Sequence, residues 1–246
     1  MERIMLRIEY DGTHFVGYQV QLEKRTVQLE IEKALEKMHH QHVRIYSSGR
    51  TDSGVHALDQ VIHFDTTLSL DEATWKHALT TLLPNDIKVK SAHKVESNFH
   101  ARKNATQKTY RYIVLNRKEH DLFRRHFEWH VPQQVSMERI HEAVPHILGR
   151  HDFTAFAASK TNVKGDKTRT IYRFDVFKEH DRIYFDITGD GFLTHMVRII
   201  VGTLIEIGLG KKEVSCIPEA YETLNRRVLG ITAPGHGLYL KQVQYK

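Results

Sequence analysis

The chain reads as an α+β protein in two successive halves. Runs with period-two alternation recur along its length, helical apolar stripes fall between them, and several strands lie next to one another as hairpin partners do. That adjacency favours a mixed, mainly antiparallel sheet with helices on one side over a parallel sheet. Two groups of strands and helices, 1–105 and 106–246, suggest similar half-domains that meet in a cleft near residue 105.

Ile4, Leu6, Ile8 and Tyr10 alternate as the first strand, and Asp11-Gly12-Thr13 ends it with turn chemistry. Thr26 is placed to cap a helix whose Val27, Ile31, Leu35 and Met38 make one apolar stripe. Strands at 43–47 and 60–65 flank a polar loop. A helix near 71–82, begun by Ser69 or Asp71, leads to the turn Pro84-Asn85-Asp86. Beyond it lie strands at 87–95, 107–115 and 126–131. Ser136 opens a helical pattern through Ile140, Val144 and Ile147, which Pro145 should split by removing a backbone donor. Residues 167–177 and 182–188 form a hairpin about Glu179-His180-Asp181. After Gly191 a helix is expected over 192–207, with Met196, Ile199, Thr203 and Ile207 on one face; a short helix near 216–225 and a strand at 238–243 complete the chain.

With 246 residues, 40% hydrophobic and 27% charged, the chain can bury a substantial core and has neither a disordered nor a membrane composition. No apolar run reaches the roughly 18 residues that a spanning helix needs. The start, Met1-Glu2-Arg3-Ile4-Met5-Leu6, reads as a strand and lacks the apolar core of a signal peptide. One cysteine, Cys216, rules out an internal disulfide and fits a reducing cytosol; no cation beside it in sequence would activate it. Thirty-six basic against 30 acidic residues give a net charge of +6, which favours a polyanionic partner, nucleic acid first. Arg102-Lys103, Lys108, Arg111, Arg117-Lys118 and Arg124-Arg125 interleave with Tyr110, Tyr112 and Phe123, as phosphate contacts and stacking faces would. The competing reading is a solvated strand face with its tyrosines in the core.

Metal and nucleotide motifs fail on spacing. His141-Glu142 and His146 miss the zincin pattern by one residue, with Pro145 breaking the helix that would align them. His39-His40 and His42 lie at a helix end, where solvation explains them. Gly208-Leu209-Gly210-Lys211-Lys212 follows a helix instead of opening one, and there is no Gly-x-Ser-x-Gly elbow. What survives is Ser48-Gly49-Arg50-Thr51-Asp52-Ser53-Gly54-Val55-His56-Ala57, which sets Asp52 between Arg50 and glycines on a connection between strands. Connections on a rigid scaffold carry much catalysis, although Asp and Gly are also ordinary turn residues.

This loop resembles the catalytic loop of the tRNA pseudouridine synthase A family. Further segments match in the family's order: Tyr10-Asp11-Gly12, Gly17-Tyr18-Gln19, Thr26-Val27-Gln28, Phe99-His100-Ala101-Arg102, Lys108-Thr109-Tyr110-Arg111-Tyr112, His151-Asp152-Phe153-Thr154, Phe192-Leu193-Thr194-His195-Met196-Val197-Arg198 and Gly237-Leu238-Tyr239-Leu240. The resemblance implies the pseudouridine synthase fold, two related α+β halves flanking a basic cleft, in a cytoplasmic homodimer. It implies isomerisation of uridine in the anticodon stem and loop of tRNA, at tRNA positions 38–40, with no cofactor and no metal. It makes Asp52 the catalytic aspartate and Tyr110 the tyrosine that stacks on the target uracil, and matches Arg50 and Arg198 to active-site arginines. Tyr18 stands where the family commonly has tryptophan, and Leu29 where it often has glycine; both bear on local packing and RNA preference.

The chemistry asks for such residues. Turning uridine into pseudouridine breaks the N-glycosidic bond, rotates the base and joins C5 to the ribose, which needs a carboxylate and containment and no redox step. A neighbouring arginine would hold Asp52 ionised, lowering its pKa by roughly 1 to 3 units. If Arg198 reached Asp52 in a buried site, removing it would leave a charge unpaired at about 3 to 5 kcal/mol. Unstacking the target base costs a few kcal/mol, and stacking on Tyr110 returns about 1 to 3 kcal/mol. Attack on the ribose C1′, attack on the ring and abstraction of a ribose proton are all open to Asp52. The alternatives from other classes are an RNA-binding protein without turnover and a metal-dependent hydrolase.

Overall fold

Period-two burial along residues 2–10 makes the first strand, β1 (Glu2–Tyr10), whose Ile4, Leu6, Ile8 and Tyr10 are buried. The computed structural model describes residues 1–158 and 165–246. Thr26 caps α1 (Val27–His39), its side chain accepting from the Leu29 amide, and the helix ends on left-handed His40. Then follow β2 (Tyr46–Ser47), β3 (His56–Thr66), α2 (Glu72–Leu82, capped by Asp71) and β4 (Ile87–Val95). The rest of the chain gives β5 (Ala105–Leu115), β6 (Trp129–His130), α3 (Met137–Ala143), β7 (Gly149–Asp152), β8 (Thr168–Glu179), β9 (Arg182–Gly189), α4 (Met196–Gly208), α5 (Cys216–Thr223) and β10 (Leu238–Tyr245). The fold class is α+β, as the sequence predicts.

The chain divides into two compact units, residues 1–106 with 239–246 and residues 107–238. In the first, β1 lies antiparallel between β3 and β4, β2 pairs antiparallel with one end of β3, and β10 runs parallel beside the other. Alternation along β3 gives its two faces different neighbours. Phe64 meets His39 of α1 and Trp75 of α2 edge-on, whereas His63 stacks on Tyr46 and meets Phe99 and His100. With both faces covered, β3 is buried almost throughout. The last eight residues, which the sequence reading assigns to the second half, group with this unit. Tyr239 and Leu240 pair with His56 and Ala57, and the Val243 amide donates to buried Asp59.

In the second unit β9 lies antiparallel between β5 and β8, β7 pairs antiparallel with β8, and β6 runs parallel to β5. Pro145 splits its helix as expected: α3 stops at Ala143 and a 3₁₀ turn, Val144–Ile147, carries the proline at its start. The hairpin turns at His180, with φ 53°.

Three expectations differ, and one strand is unexpected. Val43 and Ile45 are buried, but the Ile45 amide donates to Glu32 on α1, so pairing is confined to Tyr46–Ser47. Of 126–131 only Trp129–His130 is strand, because Phe127 closes a turn on the Arg124 carbonyl. β7 is short and polar, with no alternation to announce it. Finally α4 begins at Met196, since left-handed His195 (φ 64°) and a turn from Met196 back to Leu193 end its upstream continuation.

Candidate active site

The Asp52 loop is held from below by β3 and from outside by residues 12–18. Buried Gln60 accepts from the Ser48 hydroxyl at 2.6 Å and donates to the Gly49 carbonyl at 2.9 Å, and the Ser48 amide donates to Val61 at 2.7 Å. Tyr10 and Thr51 share a buried hydroxyl–hydroxyl hydrogen bond of 2.8 Å; burial outweighs the bonds from Thr51 and Gln60 and pushes the Tyr10 phenol up to about 12. The Thr51 carbonyl accepts from the Tyr18 amide, and the Gly54 amide donates to Phe15. Val55 closes a turn onto the Asp52 carbonyl, with Gly54 at φ 73°. The backbone around Asp52 is therefore fixed on both sides while its side chain is half-buried.

Two glycines permit the close approach. A Cβ on Gly12 would strike the Val55 carbonyl, and one on Gly17, already at φ 87°, would lie 3.0 Å from the Thr51 carbonyl. His56 ties the motifs together. Its buried Nδ1 accepts from the Gly12 amide at 2.9 Å, lies 3.2 Å from Asp11, and its ring stacks on Tyr239. Burial alone would raise the Asp11 carboxyl, but the hydrogen bonds donated by the Thr13 hydroxyl and amide, helped by the nearby His56 and His14 rings, hold it below the usual range. From the sequence, Tyr10-Asp11-Gly12 reads only as a turn and a matched segment; the structure makes it the outer wall of the Asp52 loop.

Arg50 is exposed, and among the described residues it forms no ion pair. It shares the loop with Asp52, but the expected arginine–carboxylate pair within the loop is not made. The guanidinium is instead presented to solvent.

Tyr110 and Arg198 belong to the second unit. Tyr110, on β5 opposite Ile187 of β9, is 8% exposed, with Phe192 edge-on at 5.1 Å. Arg198, on the first turn of α4, donates from Nε to the Ala233 carbonyl at 2.7 Å, and the Ala233 amide returns a bond to the Arg198 carbonyl. Gly202 and Gly230 let the 230–233 segment lie against α4: a Cβ on Gly202 would strike the Ile231 carbonyl, and the Gly230 amide donates to Thr203. Fully buried Tyr112 donates to the Pro234 carbonyl at 2.7 Å; burial raises its phenol well above the ordinary value, against a smaller lowering by Arg198. Sequence reasoning missed the 230–237 segment, although Gly237, whose Cβ would lie 2.6 Å from the Tyr112 ring, opens one of the matched motifs.

The basic, aromatic stretch resolves into different environments. Arg102, Lys103, Arg124 and Arg125 are exposed and Phe123 is 86% exposed, but Tyr112 is core. Arg111 is bound bidentately by Asp186 at 2.8 and 2.7 Å and lies over the Tyr184 ring. Among the described residues no group of three or more His, Cys, Asp or Glu is arranged to hold a metal ion. Cys216 is buried, which raises its thiol pKa.

A family model described as tRNA pseudouridine synthase matches residues 7–102 and 143–246. The tRNA pseudouridine synthase A 1 of Bacillus cereus is 50% identical over 246 residues, 100% of this chain and 99% of that protein. The tRNA pseudouridine synthase A of Anoxybacillus flavithermus is 50% identical over the same 246 residues, and that of Bacillus subtilis (strain 168) 50% over 245, or 99% of each chain. A solved H/ACA RNP bound to a substrate RNA containing 2′-deoxyuridine aligns with a TM-score of 0.36 and 10% identity over 83% of this chain and 52% of that one, too remote to bear on the assignment. With half its residues identical to these proteins from end to end, the chain belongs to the tRNA pseudouridine synthase A family.

Proposed function

We propose that the chain isomerises uridine to pseudouridine in the anticodon stem and loop of tRNA, with Asp52 as the catalytic carboxylate. The observation that carries this is the full-length identity to proteins named tRNA pseudouridine synthase A, with the Asp52 loop intact. In this reading Asp52 assists cleavage of the C1′–N1 bond, the base turns within the site, and C1′–C5 bond formation follows. The C5 proton is then lost and N1 gains one, so the product is an isomer. Tyr110 stacks on the flipped uracil, and its hydroxyl takes the C5 proton as its own proton passes on toward N1. Exposed Arg50 supports a role in gripping substrate phosphate, and the anchored Arg198 a role in orienting the reacting groups.

The test is release of tritium from tRNA labelled at uracil C5. Wild-type protein is expected to release label, and Asp52→Asn to bind tRNA with little change while releasing none. Absence of release by the wild type, or undiminished release by Asp52→Asn, sinks the proposal.

The same reading makes the protein a cytoplasmic homodimer. Exposed Leu122 (56%) and Phe123 (86%) supply apolar surface that a second copy would cover. Sedimentation showing monomer alone at assay concentration would overturn the dimer.

A further inference from the structure

On the first unit, away from the Asp52 loop's own contacts, the His63 face of β3 carries a group of rings and cations that the isomerisation does not use. Tyr46, 41% exposed, stacks on buried His63 with centroids 5.1 Å apart and an interplanar angle of 19°, and the Arg44 guanidinium lies over the Tyr46 ring at 5.3 Å. His100 packs against both rings, at 5.7 Å from Tyr46 and 4.9 Å from His63. Arg102 and Lys103 follow on the same turn. Both are exposed and close enough to His100 that their charges, after burial, help lower its pKa.

The base of this group is fixed. Ala101 donates its amide to His63 at 3.2 Å and accepts from the Tyr245 hydroxyl at 2.7 Å, while the Phe99 carbonyl takes Arg3 at 2.7 Å. Asn104 closes the 100–104 turn onto the His100 amide and carbonyl. His63 stays neutral, its pKa lowered to about 4 by burial first and then by Arg3 and His100. Asp65 on the same strand is already bound bidentately by Arg3. Among the described residues Arg44, Arg102 and Lys103 form no ion pair with a carboxylate. An exposed ring on a rigid base, bordered by uncompensated cations, has the composition that holds an unpaired nucleic-acid strand.

We infer that Arg44, Tyr46, His100, Arg102 and Lys103 form a docking surface for an unpaired stretch of substrate RNA, in which the Arg44 guanidinium gives up its place over the Tyr46 ring to a stacked base and moves, with Arg102 and Lys103, onto flanking phosphates. Charge and aromatic exposure together favour RNA over a protein partner, for which the face offers little apolar area. The inference rests on the reading of the chain as a tRNA-acting enzyme.

The test compares full-length tRNA binding and turnover for wild type, Tyr46→Ala, Tyr46→Phe and Arg102→Ala/Lys103→Ala. Tyr46→Ala should weaken Kd by about tenfold and Tyr46→Phe should keep the wild-type value, because only the ring is needed. Removing two phosphate contacts should reduce the slope of log Kd against log salt by about 1.4. KM should rise while kcat stays near wild type in every variant, and matching thermal melts would establish folding. Unchanged Kd and salt slope, loss by Tyr46→Phe equal to that by Tyr46→Ala, or a change in sedimentation without a change in tRNA binding would overturn the inference. A wild type that binds tRNA through this face but releases no tritium refutes the isomerase reading alone.

Discussion

Arg198 and Tyr112 donate to consecutive carbonyls, the guanidinium Nε to Ala233 and the phenol to Pro234, each at 2.7 Å. One short segment therefore fixes both a proposed active-site arginine and the core tyrosine two residues beyond Tyr110. Tyr112→Phe keeps the ring that Gly237 packs against but releases the Pro234 carbonyl. Stability should fall by about 1 kcal/mol, and kcat by about tenfold as the Arg198 anchor loosens. Denaturant unfolding and single-turnover tritium release check this; unchanged values in both would show that the two bonds are not coupled.

Gly12→Ala should damage the Asp52 loop from outside. Its new Cβ meets the Val55 carbonyl and forces the loop to move or the chain to strain, at about 1 to 3 kcal/mol. Turnover should fall more steeply than tRNA affinity. Melting temperature, Kd and label release measured together separate loop displacement from global unfolding. A Gly12→Ala protein with wild-type turnover would show that the loop position is not critical.

His63 should make stability depend on pH. Its value near 4 in the folded protein lies below the ordinary 6.5, so between those limits the unfolded chain holds a proton that the folded chain excludes. The contribution is complete above pH 6.5 and is lost as pH falls toward 4, by at most about 1.4 kcal/mol per pH unit. Unfolding free energies for wild type and His63→Gln across that interval should diverge with this sign. Parallel curves would refute it.

Arg111 and Asp186 are a largely buried pair bridging β5 and β9. Arg111→Ala takes the two guanidinium hydrogen bonds away from the Asp186 carboxylate and should cost about 1.5 to 3 kcal/mol, whereas Arg111→Met with Asp186→Leu should recover most of the loss. A double-mutant cycle on urea midpoints measures it, and a near-zero coupling energy would count against a structural role for Arg111.

These contrasts show what a sequence can and cannot disclose. Thr26, Asp71 and Ser136 are legible as caps because their chemistry is local, and each accepts the expected amide. Pro145 is legible for the same reason. The Asp52 loop stands out through its composition and family motif. What holds that loop is long-range: Gln60 on a strand beyond it, Gly12 at the end of another, and His56 stacked on Tyr239 from the far end of the chain. Arg50 and Arg111 illustrate the limit most directly, since both are arginines in matched motifs, yet one faces solvent and the other is taken by a strand partner.

The place of β10 has a consequence for how the protein is made. All of its residues but Leu238 group with the first unit yet are translated after the second, so the ribosome exposes a first unit whose sheet lacks one neighbour of β3. Such a strand enters only by a contact spanning most of the chain, which is slow to form and leaves an edge open meanwhile. Pulse-labelled nascent chains should therefore show the loop around Asp52 protease-sensitive until β10 emerges, making the proposed catalytic loop one of the last parts of this polypeptide to be fixed in place.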